Sequence, residues 1–168
     1  MPKIIENLEQ RLLEEAGRQL QQTGYGAMTV RSVAAACGVG VGTVYNYFPS
    51  KDALLAAFML EDWHVCMRSI EQCACAAEQC DVVLRCIYNQ LTAFLQLHSS
   101  VFRDREAASH FGKAMGDYHG LLREQLAKPL RSFCADDFTA AFAAEALIAW
   151  TVQQVPFAQL LPVLQKLF

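Results

Sequence analysis

The chain has 168 residues, a net charge of −3, and is apolar for its size, 54% hydrophobic against 18% charged. That length suits one domain with a sizeable core, or a small domain joined to a larger one. The charge excludes a chain built as a whole for nonspecific polyanion binding, and the apolar excess calls for a buried interface, a pocket or both.

No run reaches the roughly 18 uncharged apolar residues of a membrane span. The longest, 138–152, contains Glu145. The opening MPKIIENLEQ is charged and lacks an apolar stretch, so no signal peptide is expected. Seven cysteines, an odd number, are most simply read as reduced thiols, and a cytoplasmic location is expected.

The first helix is predicted from Ile4 to Gln22. Ile4, Leu8, Leu12, Ala16 and Leu20 recur every four residues and form an apolar stripe, with Glu6, Glu9, Arg11 and Glu14 opposite. Gly24, Tyr25 and Gly26 make the following turn. Thr29 then caps a second helix, whose apolar face is Val30, Val33, Ala34 and Cys37. Gly38 stops it, because a left-handed backbone costs glycine little. A third helix opens at Gly40 or Val41. It buries Val44 and Phe48, and presents Thr43, Asn46 and Tyr47 outward. Pro49 ends it.

Two short helices with glycine in the turn form a helix-turn-helix. The outward face of the second is small, hydrogen-bonding and aromatic, which suits a DNA major groove. No acid occurs between Glu15 and Asp52, whereas Arg18, Arg31 and Lys51 lie inside that interval. Residues 1–51 sum to +1 and 52–168 to −4. A packed corner without DNA binding is the competing reading of such a pattern.

Residues 38–55, GVGVGTVYNYFPSKDALL, with TVRSVAAACGV at 29–39, resemble the tetracycline-repressor (TetR) family of bacterial transcription regulators. The resemblance covers about 8–58, roughly a third of the chain. Two features depart from it. Gly40 stands where a serine is usual, and the N-terminal arm, often basic, carries Glu6 and Glu9. The resemblance implies phosphate contacts by Thr29, Tyr47 and Lys51. It implies base or near-base contacts by Arg31, Val41, Gly42, Thr43, Tyr45 and Asn46.

Ser50 caps a long fourth helix reaching about Ala77, some 40 Å at 1.5 Å per residue. Asp81 is expected to cap a fifth helix, and 101–109 reads as a short one. A seventh runs from about Phe111, with Gly112, Gly116 and Gly120 on one face. Glycine there suggests the close approach of a neighbour. Pro129 kinks or ends it. Asp136 opens an eighth helix that is apolar nearly all round. Pro156 opens a ninth, in which Pro162 forces a kink or a restart. No strand pattern appears. The fold class is all-α, about nine helices, a three-helix helix-turn-helix head at 1–48 and a helical-bundle body at 49–168.

The resemblance implies that the body senses a small molecule and pairs two copies. The effector is placed among Trp63, Met67, Phe94, Met115, Tyr118 and Leu147. A stripe of that kind is also what plain core looks like. The homodimer contact is placed on Phe138, Phe142, Glu145, Ile148, Trp150, Leu160 and Leu164, since an apolar patch is commonly buried by symmetric pairing. Operator DNA, a second copy and an unidentified effector are the expected partners, with no membrane, no cofactor and no metal.

Other chemistries fit less well. Cys66, Cys73, Cys75, Cys80 and Cys86, with His64 and Met67, are the alternative, a thiol- or soft-metal-sensing regulator. On one helix, however, Cys73 and Cys75 diverge by about 200°, and Cys66 and Cys73 lie about 10.5 Å apart, too far to share a metal. Cys75 and Cys80 converge only if the helix ends between them. His64, His98, His110 and His119 have no nucleophile at catalytic spacing, and no phosphate loop is present, so an enzyme is not expected. A pure interaction bundle leaves Thr29–Lys51 unexplained. The expectation is therefore a repressor released by a ligand that shifts the fourth helix and the spacing of two heads. The sequence leaves activation open, and names neither effector nor operator.

Overall fold

The computed structural model describes residues 7–104 and 119–168. Nine helices are present among them: α1 (Leu8–Ala27), α2 (Val30–Cys37), α3 (Val41–Tyr47), α4 (Lys51–Ala76), α5 (Cys80–Leu97), α6 (Ser99–Arg103), α7 (119–127), α8 (Asp137–Val152) and α9 (Phe157–Leu164). Short 3-10 segments follow α7 at Lys128–Phe133 and α9 at Gln165–Leu167. No strand occurs among the described residues.

By packing, the described chain divides into two units. One comprises 7–62 and 98–104, the other 63–97 and 119–168.

In the first unit, α1 buries Leu8, Leu12, Ala16 and Leu20 of the predicted stripe, together with Leu13, while Ile4 lies outside the described residues. Each such leucine contributes about 1.5–3 kcal/mol of burial. Gly24, at φ 80° and ψ 172°, breaks the helical path, so the regular helix ends there and Tyr25–Ala27 form one further turn. Gly17 is the close-packing point of α1. A Cβ at Gly17 would stand 2.5 Å from the Phe58 ring. Arg11 donates to the Cys37 carbonyl over 3.3 Å, bringing a cation to the C-terminal end of α2.

In the second unit, α5, α8 and α9 enclose a core of Val83, Leu84, Ile87, Ala140, Ala143, Leu147 and Leu160. The C-terminal part of α4 adds Trp63, Cys66, Met67 and Ile70 to the same core. The α4–α5 seam is antiparallel. Cys66 Sγ lies 4.0 Å from the Gln90 carbonyl, Gln90 donates to Ser69 Oγ over 3.0 Å, and Cys73 Sγ lies 3.9 Å from the Val82 carbonyl. Small side chains let the two backbones approach. Tyr88 donates to the Val155 carbonyl over 3.0 Å and ties α5 to the start of α9.

Several expectations are corrected. Asp81 does not precede α5; it lies in its first turn, where a carboxylate still complements the helix dipole. The short sixth helix begins at Ser99, earlier than expected, and ends at Arg103. Gly120 is exposed, and among the described residues a Cβ there would meet nothing within 4 Å, so none of them demands a glycine. Gly112, Gly116 and the expected start at Phe111 lie outside the described residues. Pro162 sits inside α9, which remains one helix of eight residues. Asp136 caps α8 as expected, accepting from the Thr139 amide over 2.8 Å.

Candidate nucleic-acid interface

The helix-turn-helix is held by local chemistry. Thr29 accepts the Ser32 amide over 3.0 Å, and Ser32 Oγ accepts the Thr29 amide over 3.1 Å. This reciprocal cap fixes the start of α2. Ser32 Oγ also donates to Gln19 Oε1 over 2.5 Å, which ties the cap to α1. Gly38, at φ 71°, ends α2 in the left-handed region. Gly40 precedes α3 without a side-chain cap. Ser50 caps α4, accepting the Ala53 amide over 3.0 Å.

The sequence-predicted contact residues come to one face. Thr29, Arg31, Val41, Tyr45 and Lys51 line a cleft of about 520 Å³, together with Met28, Val30, Pro49 and Ser50. Gly42, Asn46 and Tyr47 lie exposed along the rest of α3, with Thr43 half-buried. Val44 and Phe48 point inward, at 0% and 5% exposure, and seat the helix. Gly42 is a helical glycine with nothing within 4 Å of a Cβ position. The fold itself does not ask for it.

One partnership was not visible in the sequence. Lys51 Nζ donates to the Tyr25 carbonyl and stands 3.7 Å from the Tyr25 ring centroid. The Tyr25 hydroxyl donates to Asp52 Oδ1 over 2.6 Å. Tyr25 therefore positions the residues opening α4 from 26 positions away. No local pattern signals it; only the glycines flanking Tyr25 hint at a special turn.

The effector residues separate. Trp63, Met67 and Leu147 are buried in the core of the second unit, with Phe94 packed against it. Trp63 and Phe94 stack edge to face at 5.5 Å, and Trp63 Nε1 donates to Gln125 Oε1 over 2.7 Å. Met67 also lines a cleft of about 330 Å³ with His64, Arg68, Glu71, Gln125 and Lys128. Met115 and Tyr118 lie outside the described residues.

The expected dimer residues separate too. Phe138, Phe142 and Trp150 are exposed, at 77%, 51% and 45%, and Phe138 and Phe142 adjoin at 6.3 Å. Ile148 is half-buried. Leu160 and Leu164, at 8% and 3% exposure, pack into the core of the second unit. Val163, 63% exposed, is the apolar group α9 shows. Glu145 is held within the chain, with both oxygens 2.9 Å from His119 Nε2.

Among the described residues no cluster of three or more metal-ligating side chains exists, and no helix is long and apolar enough to cross a membrane. The helix does end between Cys75 and Cys80, and across the α4–α5 seam Cys73 Sγ meets the Val82 carbonyl and Cys86 Sγ the Ser69 carbonyl.

Comparison with known proteins matches residues 12–58 to the model described as bacterial regulatory proteins, tetR family. The uncharacterized HTH-type transcriptional regulator YuxN of Bacillus subtilis (strain 168) is 37% identical over 51 residues, 30% of this chain and 18% of that protein. The HTH-type transcriptional regulator UidR of Escherichia coli (strain K12) is 31% identical over 52 residues, 31% of this chain and 26% of that protein. The match thus spans about a fifth to a quarter of each relative's length. In fold, the chain is similar to the fatty acid degradation regulator FadR from Bacillus halodurans, with a TM-score of 0.54 at 21% identity over 94% of this chain and 96% of that one. Over residues 12–58, under a third of its length, the chain is similar to the helix-turn-helix of the tetR family of bacterial regulatory proteins.

Proposed function

We propose that the chain is a DNA-binding transcriptional regulator, a repressor that leaves its operator when a small molecule binds. It acts as a homodimer in the cytoplasm, and it is not an enzyme. Residues 1–48 are the DNA-reading head, and 49–168 the sensing and dimerising body.

The observation that carries this reading is the exposed face of α3. Its glycine at 42 answers no need of the fold, and it stands among Arg31, Val41, Thr43, Tyr45 and Asn46. A helix presenting such a face fits a major groove, and the missing side chain allows close backbone approach. On this reading Thr29, Tyr47 and Lys51 meet phosphates, while Arg31, Val41, Gly42, Thr43, Tyr45 and Asn46 meet or adjoin bases. The exposed Phe138, Phe142 and Trp150 support pairing through α8. The effector belongs to the second unit near Met67, which is both core and cleft wall.

A gel shift with the DNA upstream of the coding sequence tests the proposal. A regulator binds it in the nanomolar range, with affinity that falls steeply with salt. Binding no tighter than to unrelated DNA of equal length would remove it.

A further inference from the structure

Seven cysteines are many for a chain that uses none of them to read DNA. All seven are free thiols. Two of them meet across the α4–α5 seam. Cys73 Sγ lies 3.9 Å from the Val82 carbonyl, and Cys86 Sγ lies 4.0 Å from the Ser69 carbonyl. In a helix the carbonyl of residue i−4 accepts the amide of residue i. The Val82 carbonyl is thus the one below Cys86, and the Ser69 carbonyl the one below Cys73. Each sulfur rests against the backbone turn that carries the other cysteine.

That reciprocity fits a disulfide. A disulfide bridges Cα atoms about 4.4–6.8 Å apart, a separation that neighbouring turns of two closely packed helices can reach. Both side chains are half-buried, so a small oxidant reaches them. Cys75, two residues away, is exposed, and on a helix it diverges from Cys73 by about 200°.

We propose that Cys73 and Cys86 form a redox-active dithiol, which a peroxide converts into a disulfide joining α4 to α5. The Cys73 thiolate attacks one peroxide oxygen and breaks the O–O bond, giving a sulfenic acid and hydroxide, which takes up the released proton as water. The Cys86 thiol then attacks the sulfenic sulfur. The S–O bond breaks, the S–S bond forms, and a second water leaves. Two electrons pass from the thiols to the peroxide. Burial, then the neighbouring Cys73, pushes the Cys86 thiol up to about 11. Cys86 therefore stays protonated and acts second, relying on contact with the sulfenic sulfur rather than on thiolate character. This chemistry lies wholly within the second unit and does not depend on operator recognition.

The test is peroxide titration of the reduced full-length chain. Remaining thiols are blocked with N-ethylmaleimide, and the linked peptides are mapped by mass spectrometry without reductant. The expected result is a predominant intrachain Cys73–Cys86 link, two fewer blocked thiols per chain, and full reversal by dithiothreitol. Cys75→Ser keeps the link. Cys86→Ser halts Cys73 at a sulfenic acid that dimedone traps. Oxidation through Cys75, links between chains, or unreacted Cys73 and Cys86 after other thiols are consumed would each overturn the proposal. The wild-type map stands even where a variant fails to fold.

Discussion

Lys51 is the first residue of α4, and its ammonium lies 3.7 Å above the centre of the Tyr25 ring, at the turn before α2. The charge is therefore held by the head itself, beside the cleft that Thr29 and Arg31 line. Lys51→Ala should weaken binding to all DNA sequences alike and reduce the salt slope by about one unit. A changed sequence preference with the salt slope intact would move Lys51 from phosphate to base.

Gly42 separates a fold requirement from a DNA requirement. Glycine inside a helix costs about 0.5–1 kcal/mol relative to alanine. A methyl at this position meets nothing within 4 Å. Gly42→Ala should raise the melting temperature and still weaken operator binding at least tenfold. A more stable variant that binds as before shows that α3 does not approach DNA at that point.

Burial pushes the His98 imidazole down to about 4 from its ordinary 6.5. The ring is fully enclosed, with Nε2 3.1 Å from Asp62 Oδ2 and Phe58 edge-on at 5.4 Å. Between those two values the unfolded chain binds a proton that the folded chain refuses. Stability from this group is thus complete above pH 6.5 and is lost as pH falls toward 4, by up to about 3 kcal/mol. The Asp62 carboxyl, pushed up by burial, protonates earlier in the folded state and offsets part of that loss. Urea melts at pH 7 and pH 4.5 should differ accordingly, and His98→Gln should narrow the difference. An unchanged gap in the variant would assign the acid sensitivity elsewhere.

The apolar surface of α8 predicts a second copy. Phe138 and Phe142 form one exposed aromatic patch, and Trp150 lies two turns further along. Phe142→Asp should shift sedimentation at micromolar concentration from dimer to monomer and leave the helical circular dichroism unchanged. A wild-type chain that sediments as a folded monomer removes the dimer, and with it the two-half-site mechanism.

The head was legible because its signals are local. Thr29, Gly38, Pro49 and Ser50 each act within four residues, and each does in the structure what its chemistry implies. The long helices were legible from their apolar period. What escaped was contact between distant positions. Gly17 against Phe58, Tyr25 with Lys51 and Asp52, and Cys73 with Cys86 leave no periodic trace. The faces of α8 and α9 escaped for another reason. When nearly every residue of a helix is apolar, periodicity cannot say which side meets the subunit's own core. Leu160 and Leu164 therefore read no differently from Phe138 and Phe142, although the first two are buried and the second two exposed.

Selection from random duplex DNA by the purified chain tests the central claim most directly. The account predicts enrichment of an inverted repeat whose half-site centres lie about 34–36 Å apart, or a multiple of that, since two α3 helices of a symmetric dimer must enter grooves on one side of the duplex. Base preferences should shift on Asn46→Ala or Thr43→Ala at matching positions in both half-sites. Recovery of no sequence above the starting pool, with weak binding that depends only on salt, would contradict the account.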